Sequence, residues 1–252
     1  MSLDACAELV RRGDPDRFAA AMAAPVAARA ILLPLYAFNL EVARAPFAAR
    51  EPMIAEMRVQ WWADILAEAA QGRARQHEVA GPLAALIGQG RVPVPVLQRL
   101  AEARRRDAWR EPFADMAALS DYLEETGAGL MWAGAAALGA PAAAEPSVRA
   151  LGWAAAAAAF LRAVPELRAR EMPGVPGADH AGLAGRGLAR LAEVRRGWGA
   201  GPGAPALIAG WQAGPVLRMA ARDPSRVEEG RLALSEFARR GRLLWVAATG
   251  RW

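Results

Sequence analysis

The chain has 252 residues, 54 % of them hydrophobic, and a formal net charge of +5 in which all 31 strong bases are arginine. The apolar share is ample for a buried core and excludes a disordered chain. The basic balance fits either the codon usage of a GC-rich genome or attraction to phosphates and acidic membrane surfaces, but the arginines are scattered and form no nucleic-acid-binding module, so nucleic acid is not an expected partner.

Abundant Ala, Leu, Arg and Glu are good helix formers, and no stretch alternates with period two, so the fold class predicted is all-α. One domain over residues 1–252, of about ten helices, is expected. The first helix covers roughly residues 3–12 and ends at Gly13. Asp14-Pro15 offers an N-cap followed by proline at the first helical position, opening a short helix to Ala24. Pro25 opens a long helix to about Ala45, and Glu51-Pro52 starts another to Gln71-Gly72. A helix at 78–88 is followed by one from Pro93 and Pro95 to about Arg110. Asp115 or Ser120 caps a helix through Leu138, and Pro146 starts one to Leu161. Pro173 and Pro176 make Met172–Gly177 a loop. Helices near 180–197 and 204–221 flank the connection Gly197–Pro205, and the last helix covers about 224–247. No repeat of solenoid length is visible.

Cys6 is the only cysteine, which rules out an intramolecular disulfide. His77 and His180 stand far apart without Cys or His neighbours, so no zinc site is expected. Asp4 and Glu8 do not suit a secretory signal. The best membrane-span candidates, Gly129–Ala144 and Leu151–Leu161, are broken by Pro141 or fall short of the roughly 20 apolar residues needed. A soluble or peripheral protein is expected, cytoplasmic or on the inner face of the cytoplasmic membrane.

The segment Arg17–Asp64 contains Tyr36-Ala37-Phe38 and Arg58-Val59-Gln60-Trp61-Trp62. Tyr122–Gly139 reads YLEETGAGLMWAGAAALG, and Ala159–Leu167 reads AFLRAVPEL. On these segments, over roughly residues 8 to 177, the chain resembles the squalene/phytoene synthase family. The resemblance implies an isoprenoid synthase-like bundle with a central cavity. It also implies a family activity, head-to-head joining of two prenyl diphosphates. That chemistry needs the leaving diphosphate neutralised by magnesium, which takes oxygen ligands. Aspartates at i and i+4 on two facing helices would supply them.

The resemblance places those aspartates at Ala43, Arg44 and Phe47, and again at Ala163 and Leu167; none is a carboxylate here. Pro46 and Pro165 lie inside the two windows, and a proline inside a helix costs roughly 3 kcal/mol, so altered backbones are expected in both. Glu41 and Glu166 flank the windows, while Asp64 with Glu68, and Glu124-Glu125, are the other acids weighed as substitutes. One carboxylate per helix makes a poor magnesium cluster. No metal or other cofactor is therefore expected, with magnesium required only if synthase chemistry survives.

Phe160–Pro165 and Ala37–Glu41 resemble a branch of the family with degenerate Asp-rich motifs, which includes a mitochondrial assembly factor for respiratory complex I. That resemblance implies a non-catalytic protein whose partners are complex I subunits or assembly intermediates. The alternative is a prenyltransferase with a remodelled site, or a binder of a prenyl lipid or diphosphate. Tyr36, Phe38, Trp132, Trp153 and Phe160 either wall an apolar tunnel or pack between helices. Of Trp61 and Trp62, at least one is core and the other is a candidate for the cavity wall. Tyr122 completes the candidate cavity residues. Arg58 and Arg162 either bind a diphosphate or pair with Glu41 and Glu166. Arg104-Arg105-Arg106 reads as a solvated face. The C-terminal segment from Glu236 is either a membrane-surface element or a last bundle helix with a basic outer face.

Overall fold

A computed structural model describes residues 3–49, 51–194 and 201–251, and every regular element among them is helical. In chain order these are α1 (Leu3–Gly13), α2 (Pro15–Ala23), α3 (Val26–Arg44), a 3-10 turn (Ala45–Phe47), α4 (Pro52–Ala70) and α5 (Ala80–Gly88). Then come α6 (Val94–Ala103), α7 (Arg105–Trp109), α8 (Met116–Leu123), a π turn (Glu124–Ala128) and α9 (Gly129–Ala137). The rest are α10 (Glu145–Ala169), α11 (His180–Val194), α12 (Ala204–Leu207), α13 (Ala213–Arg222), α14 (Ser225–Glu228) and α15 (Glu236–Thr249), with 3-10 turns at Ala142–Ala144, Pro176–Ala178 and Ile208–Gly210. Part of the Gly197–Pro205 connection, and the end of the helix expected at 180–197, lie outside the described residues.

The N-terminal punctuation works as its chemistry requires. The Asp14 carboxylate accepts from the Arg17 backbone N–H at 2.9 Å, and Pro15 follows at the first helical position. Asp115 likewise caps α8 by accepting from the Ala118 N–H at 2.8 Å.

Five expected helices differ in the structure: the one at 204–221 divides into α12 and α13, the one through Leu138 holds the π turn, and three more change as follows. The Pro93–Arg110 helix breaks into α6 and α7 at Arg104, whose side chain turns into the bundle. The helix expected to stop at Leu161 continues to Ala169 straight through Pro165, so the second window is not broken. Buried Leu161 and Val164 anchor that turn, which offsets the hydrogen bond that the proline cannot make. The helix expected at 224–247 is interrupted after Gly230, which adopts a left-handed φ of 67°, and restarts at the Ser235 cap.

Two helices occupy the middle of the core. α3 packs against α1, α2 and α9, and α10 against α9, α11 and α13. Val26–Phe47 and Ala142–Ala169 are long and apolar enough to cross a membrane by length and composition, which sequence inspection missed; both are mostly buried inside the bundle. Trp153, Trp211 and Phe38 are among the largest fully buried side chains, each worth roughly 1.5–3 kcal/mol or more of apolar burial. The π turn lies against α10 at glycines. A Cβ on Gly127 would come within 2.2 Å of the Ala156 Cβ, and one on Gly152 within 2.7 Å of the Ala128 Cα. Only glycine permits this approach, and it fixes the spacing of two cavity walls.

Candidate functional site

A cavity of about 290 Å³ lies between the end of α3, α7, the α8–π segment and the second half of α10. Ala43 and Phe47 from the first window and Ala163 and Leu167 from the second all line it. The two windows therefore share one wall, as their resemblance to paired motifs implies. Arg44, the remaining window position, turns away and lies over Gly13.

The polar end of the cavity is built around Arg104. Its Nη1 donates to the Tyr122 hydroxyl at 2.5 Å and to Asp107 Oδ2 at 3.2 Å. The Tyr122 hydroxyl in turn donates to Asp107 Oδ2 at 2.7 Å. Burial works against the Arg104 charge, but facing Tyr122 and Asp107 raise its pKa above the ordinary value. Burial, helped by the Asp107 carboxylate and outweighing Arg104, pushes the Tyr122 phenol well up, so it stays protonated. The buried Arg104 Nε has no hydrogen-bond partner, which leaves a charged donor unused at the wall. Phe113 stacks edge-on to Tyr122 at 5.3 Å and to Phe160 at 6.0 Å, forming the apolar side.

Two more guanidinium groups reach the wall. Arg17 lines it while paired with Asp14 at 2.5 Å. Arg170 pairs with Glu166 at 2.6 Å and sits over the Phe47 ring at 5.0 Å. The cavity adjoins an outer vestibule through Phe47, Arg170 and Met172. Among the described residues no group of three or more His, Cys, Asp or Glu side chains is placed to hold a metal ion.

The candidate residues fall into four places. Tyr122, Glu166 and Phe160 line the cavity. Arg162 instead enters an adjoining cleft, where Asp16 receives it at 2.8 Å and also receives Arg239 at 2.6 Å. Glu41, Arg44, Arg58, Trp61, Trp62 and His77 line a separate groove on the far side of α3. Trp62 is buried there, with Phe38 at 5.7 Å and His77 at 5.3 Å, so neither tryptophan faces the cavity. Because a helix spreads successive side chains by about 100°, Glu41 and Ala43 face different spaces. The pairings expected for Arg162 and Glu166 are replaced by Arg162–Asp16 and Arg170–Glu166. Tyr36 and Phe38, like Trp132 and Trp153, are core residues.

The other acids are also engaged elsewhere. Asp64 accepts from Gln60 at 2.6 Å and Glu68 pairs with Arg75 at 2.7 Å. Glu124 holds Arg149 and Arg190, each at 3.3 Å, and Glu125 holds Arg99 at 3.1 Å.

Sequence reading missed Arg17, Arg104, Asp107 and Arg170. The run Arg104–Arg106 is not a solvated face: Arg104 points inward, Arg105 pairs with Glu56 at 3.2 Å, and Arg106 lies 3.8 Å from the Phe113 ring centroid. A signal was present, since three successive helical residues span about 200° of arc and cannot all face solvent on a packed helix.

The sequence model of the squalene/phytoene synthase family matches residues 10–179. No curated protein matches the chain. Among solved structures, a dehydrosqualene synthase in complex with ligand has a TM-score of 0.70 at 12 % identity, over 98 % of this chain and 95 % of that one. Squalene synthase HpnC from Alicyclobacillus acidocaldarius has a TM-score of 0.61 at 16 % identity, over 98 % of this chain and 93 % of that one. At these identities the likeness is one of fold, and it is the all-α isoprenoid synthase-like fold expected from the sequence.

Proposed function

This chain belongs to the squalene/phytoene synthase family, and we propose that it holds an apolar ligand with an anionic head, such as a prenyl diphosphate, without turning it over. The observation that carries the reading is the composition of the wall where both windows meet. Alanine, phenylalanine and leucine stand at the window positions, and the guanidinium groups of Arg17, Arg104 and Arg170 line the same wall, each paired with a carboxylate but with the buried Arg104 Nε left without a partner. Guanidinium forks bind phosphate oxygens directly, so the head group needs no bridging metal.

Magnesium would need several free oxygen donors in near-octahedral geometry. The two carboxylates on the wall are committed, Asp107 to Arg104 and Tyr122, and Glu166 to Arg170. That donor set does not fit a magnesium cluster. The volume supports the same reading. About 290 Å³ falls just below the roughly 300–1,000 Å³ range of single-ligand pockets, whereas head-to-head condensation needs two prenyl chains side by side.

The role expected from the branch resemblance at Phe160–Pro165 is support of respiratory complex I assembly, with complex I subunits or assembly intermediates as partners. Two measurements test the proposal. Farnesyl diphosphate titrated into the protein in EDTA should saturate a single site, and adding magnesium should release no diphosphate. Release at an enzymatic rate would overturn the reading. Deleting the gene should lower assembled complex I and leave squalene and carotenoids unchanged; a normal complex I level would remove the assembly role.

A further inference from the structure

Helix α15 is amphipathic in the sense opposite to a bundle helix with a basic outer face. Its inner side carries arginines. Arg239 reaches Asp16 at 2.6 Å, and Arg242 Nε donates to the Trp211 carbonyl. Val246 is buried beside them, with Leu243 and Ala247 packed against the core. The outer side carries the large apolar groups. Phe237 is 90 % exposed, Leu244 69 % and Trp245 55 %. These three lie at i, i+7 and i+8, with Gly241 between them, so they form one stripe. The helix is closed at both ends: the Ser235 hydroxyl caps it by accepting from the Ala238 N–H, and Gly250 ends it in a left-handed conformation. An aromatic stripe on a rigid, capped helix is an unusual face to leave in water.

We propose that α15 docks this protein onto an anionic lipid surface, with Phe237, Leu244 and Trp245 inserted at the headgroup boundary. The charge around the stripe selects this occupant. Of the four arginines in residues 236–251, Arg239 and Arg242 turn inward, while Arg240 and Arg251 are exposed on the outer side, against one carboxylate, Glu236. Arg240 is among the most exposed side chains of the helix. A second copy packed through the same face would place that arginine near its own symmetry mate. Three side chains on a 14-residue helix also fall short of the area a stable dimer buries. An anionic bilayer draws such arginines to its headgroups and accepts the aromatic stripe at the boundary. The proposal is independent of what fills the cavity.

The test is co-sedimentation of the full chain with phosphatidylcholine vesicles, with and without phosphatidylglycerol. Binding is expected only with phosphatidylglycerol, weakening as salt rises. Combining Phe237→Ser, Leu244→Ser and Trp245→Ser should lower the partition coefficient about tenfold or more, with the circular dichroism spectrum unchanged. Phe237→Ser alone, at a position with almost no contacts to lose, should lower it severalfold and serves if the triple variant unfolds. Arg240→Glu should weaken binding to phosphatidylglycerol vesicles as well. No binding to these vesicles, or binding that survives the serine variants, overturns the proposal. So does a dimer in solution that the serine variants dissociate while vesicle binding is absent.

Discussion

The two windows have lost the same kind of residue and each contains a proline, yet their backbones part. Pro46 falls in the 3-10 turn that follows the end of α3 at Arg44, whereas Pro165 sits inside α10 and the helix runs on to Ala169. The difference lies in the flanking turns. Around Pro165, Leu161 and Val164 are buried and hold the helix on both sides of the missing hydrogen bond. After Pro46 the chain meets exposed Phe47 and Ala48, with nothing comparable to hold another turn. A proline ends a helix where packing does not oppose it, and is absorbed where packing does.

Both windows share a wall with Arg104, so removing that cation is the strongest way to break the comparison. Arg104→Met should cost about 3 kcal/mol, because the Asp107 carboxylate loses its enclosed partner. Tyr122→Phe should cost only about 1 kcal/mol, because Arg104 and Asp107 remain in direct contact. Urea unfolding midpoints measure both. A cost for Arg104→Met as small as that of Tyr122→Phe would mean that solvent screens the cluster and that it does not brace the wall.

The prolines themselves should respond with opposite signs. Pro165→Ala restores a helical hydrogen bond and relieves a clash, and should stabilise the protein by about 1–2 kcal/mol after the loss of chain stiffness is counted. Pro46→Ala restores no helix and only loosens the unfolded chain, and should destabilise by about 0.4–1 kcal/mol. Equal and same-signed shifts in Tm would mean that the flanking packing does not decide the outcome.

Carboxylates returned to the windows probe the same contrast at the cavity. Ala163→Asp with Leu167→Asp puts two carboxylates at i,i+4 on an intact helix, next to Glu166. That variant should gain a magnesium-dependent rise in stability, roughly 1.4 kcal/mol at ten times Kd. Ala43→Asp with Phe47→Asp spans the end of α3, where the 3-10 turn changes the angular spacing, and should gain much less. Thermal melts with and without magnesium compare the two. An equal gain in both would show that the helix end does not matter to ligand placement.

The bundle was largely legible because caps and prolines are local signals. Asp14-Pro15, Pro25 and Glu51-Pro52 each mark a helix start within a residue or two. The shared wall was legible too, since Ala43, Phe47, Ala163 and Leu167 follow from the family frame. What replaced the carboxylates was not. Arg104 lay hidden in a run read by charge alone, and Arg170 lay beyond the expected end of its helix at Leu161. The direction of Arg162 depends on Asp16, which is 146 residues away in sequence. Nor does the pattern of α15 say which face turns inward: the face with Arg239 and Arg242 does, because Asp16 and the Trp211 carbonyl await them.

The smallest expected effect tests what the arginine at each window does. Arg44 in the first window lies exposed over Gly13, while Arg162 beside the second is tied to Asp16 together with Arg239. Burial pushes the Asp16 carboxyl up, but Arg162, Arg239 and Gln212 outweigh it and hold its pKa below the usual 3.8. A carboxyl with a depressed folded pKa contributes stability that is present above the unfolded value and lost as pH falls through the lower folded one. Asp16→Asn removes that contribution, so at neutral pH it should cost up to about 1 kcal/mol, in keeping with partly exposed ion pairs. The gap between wild type and Asp16→Asn should close as pH drops below 3.8. Arg44→Ala, by contrast, should leave the acid limb of the stability curve unchanged. If Arg44→Ala and Asp16→Asn shift that limb alike, the Asp16 network is not what distinguishes the second window from the first.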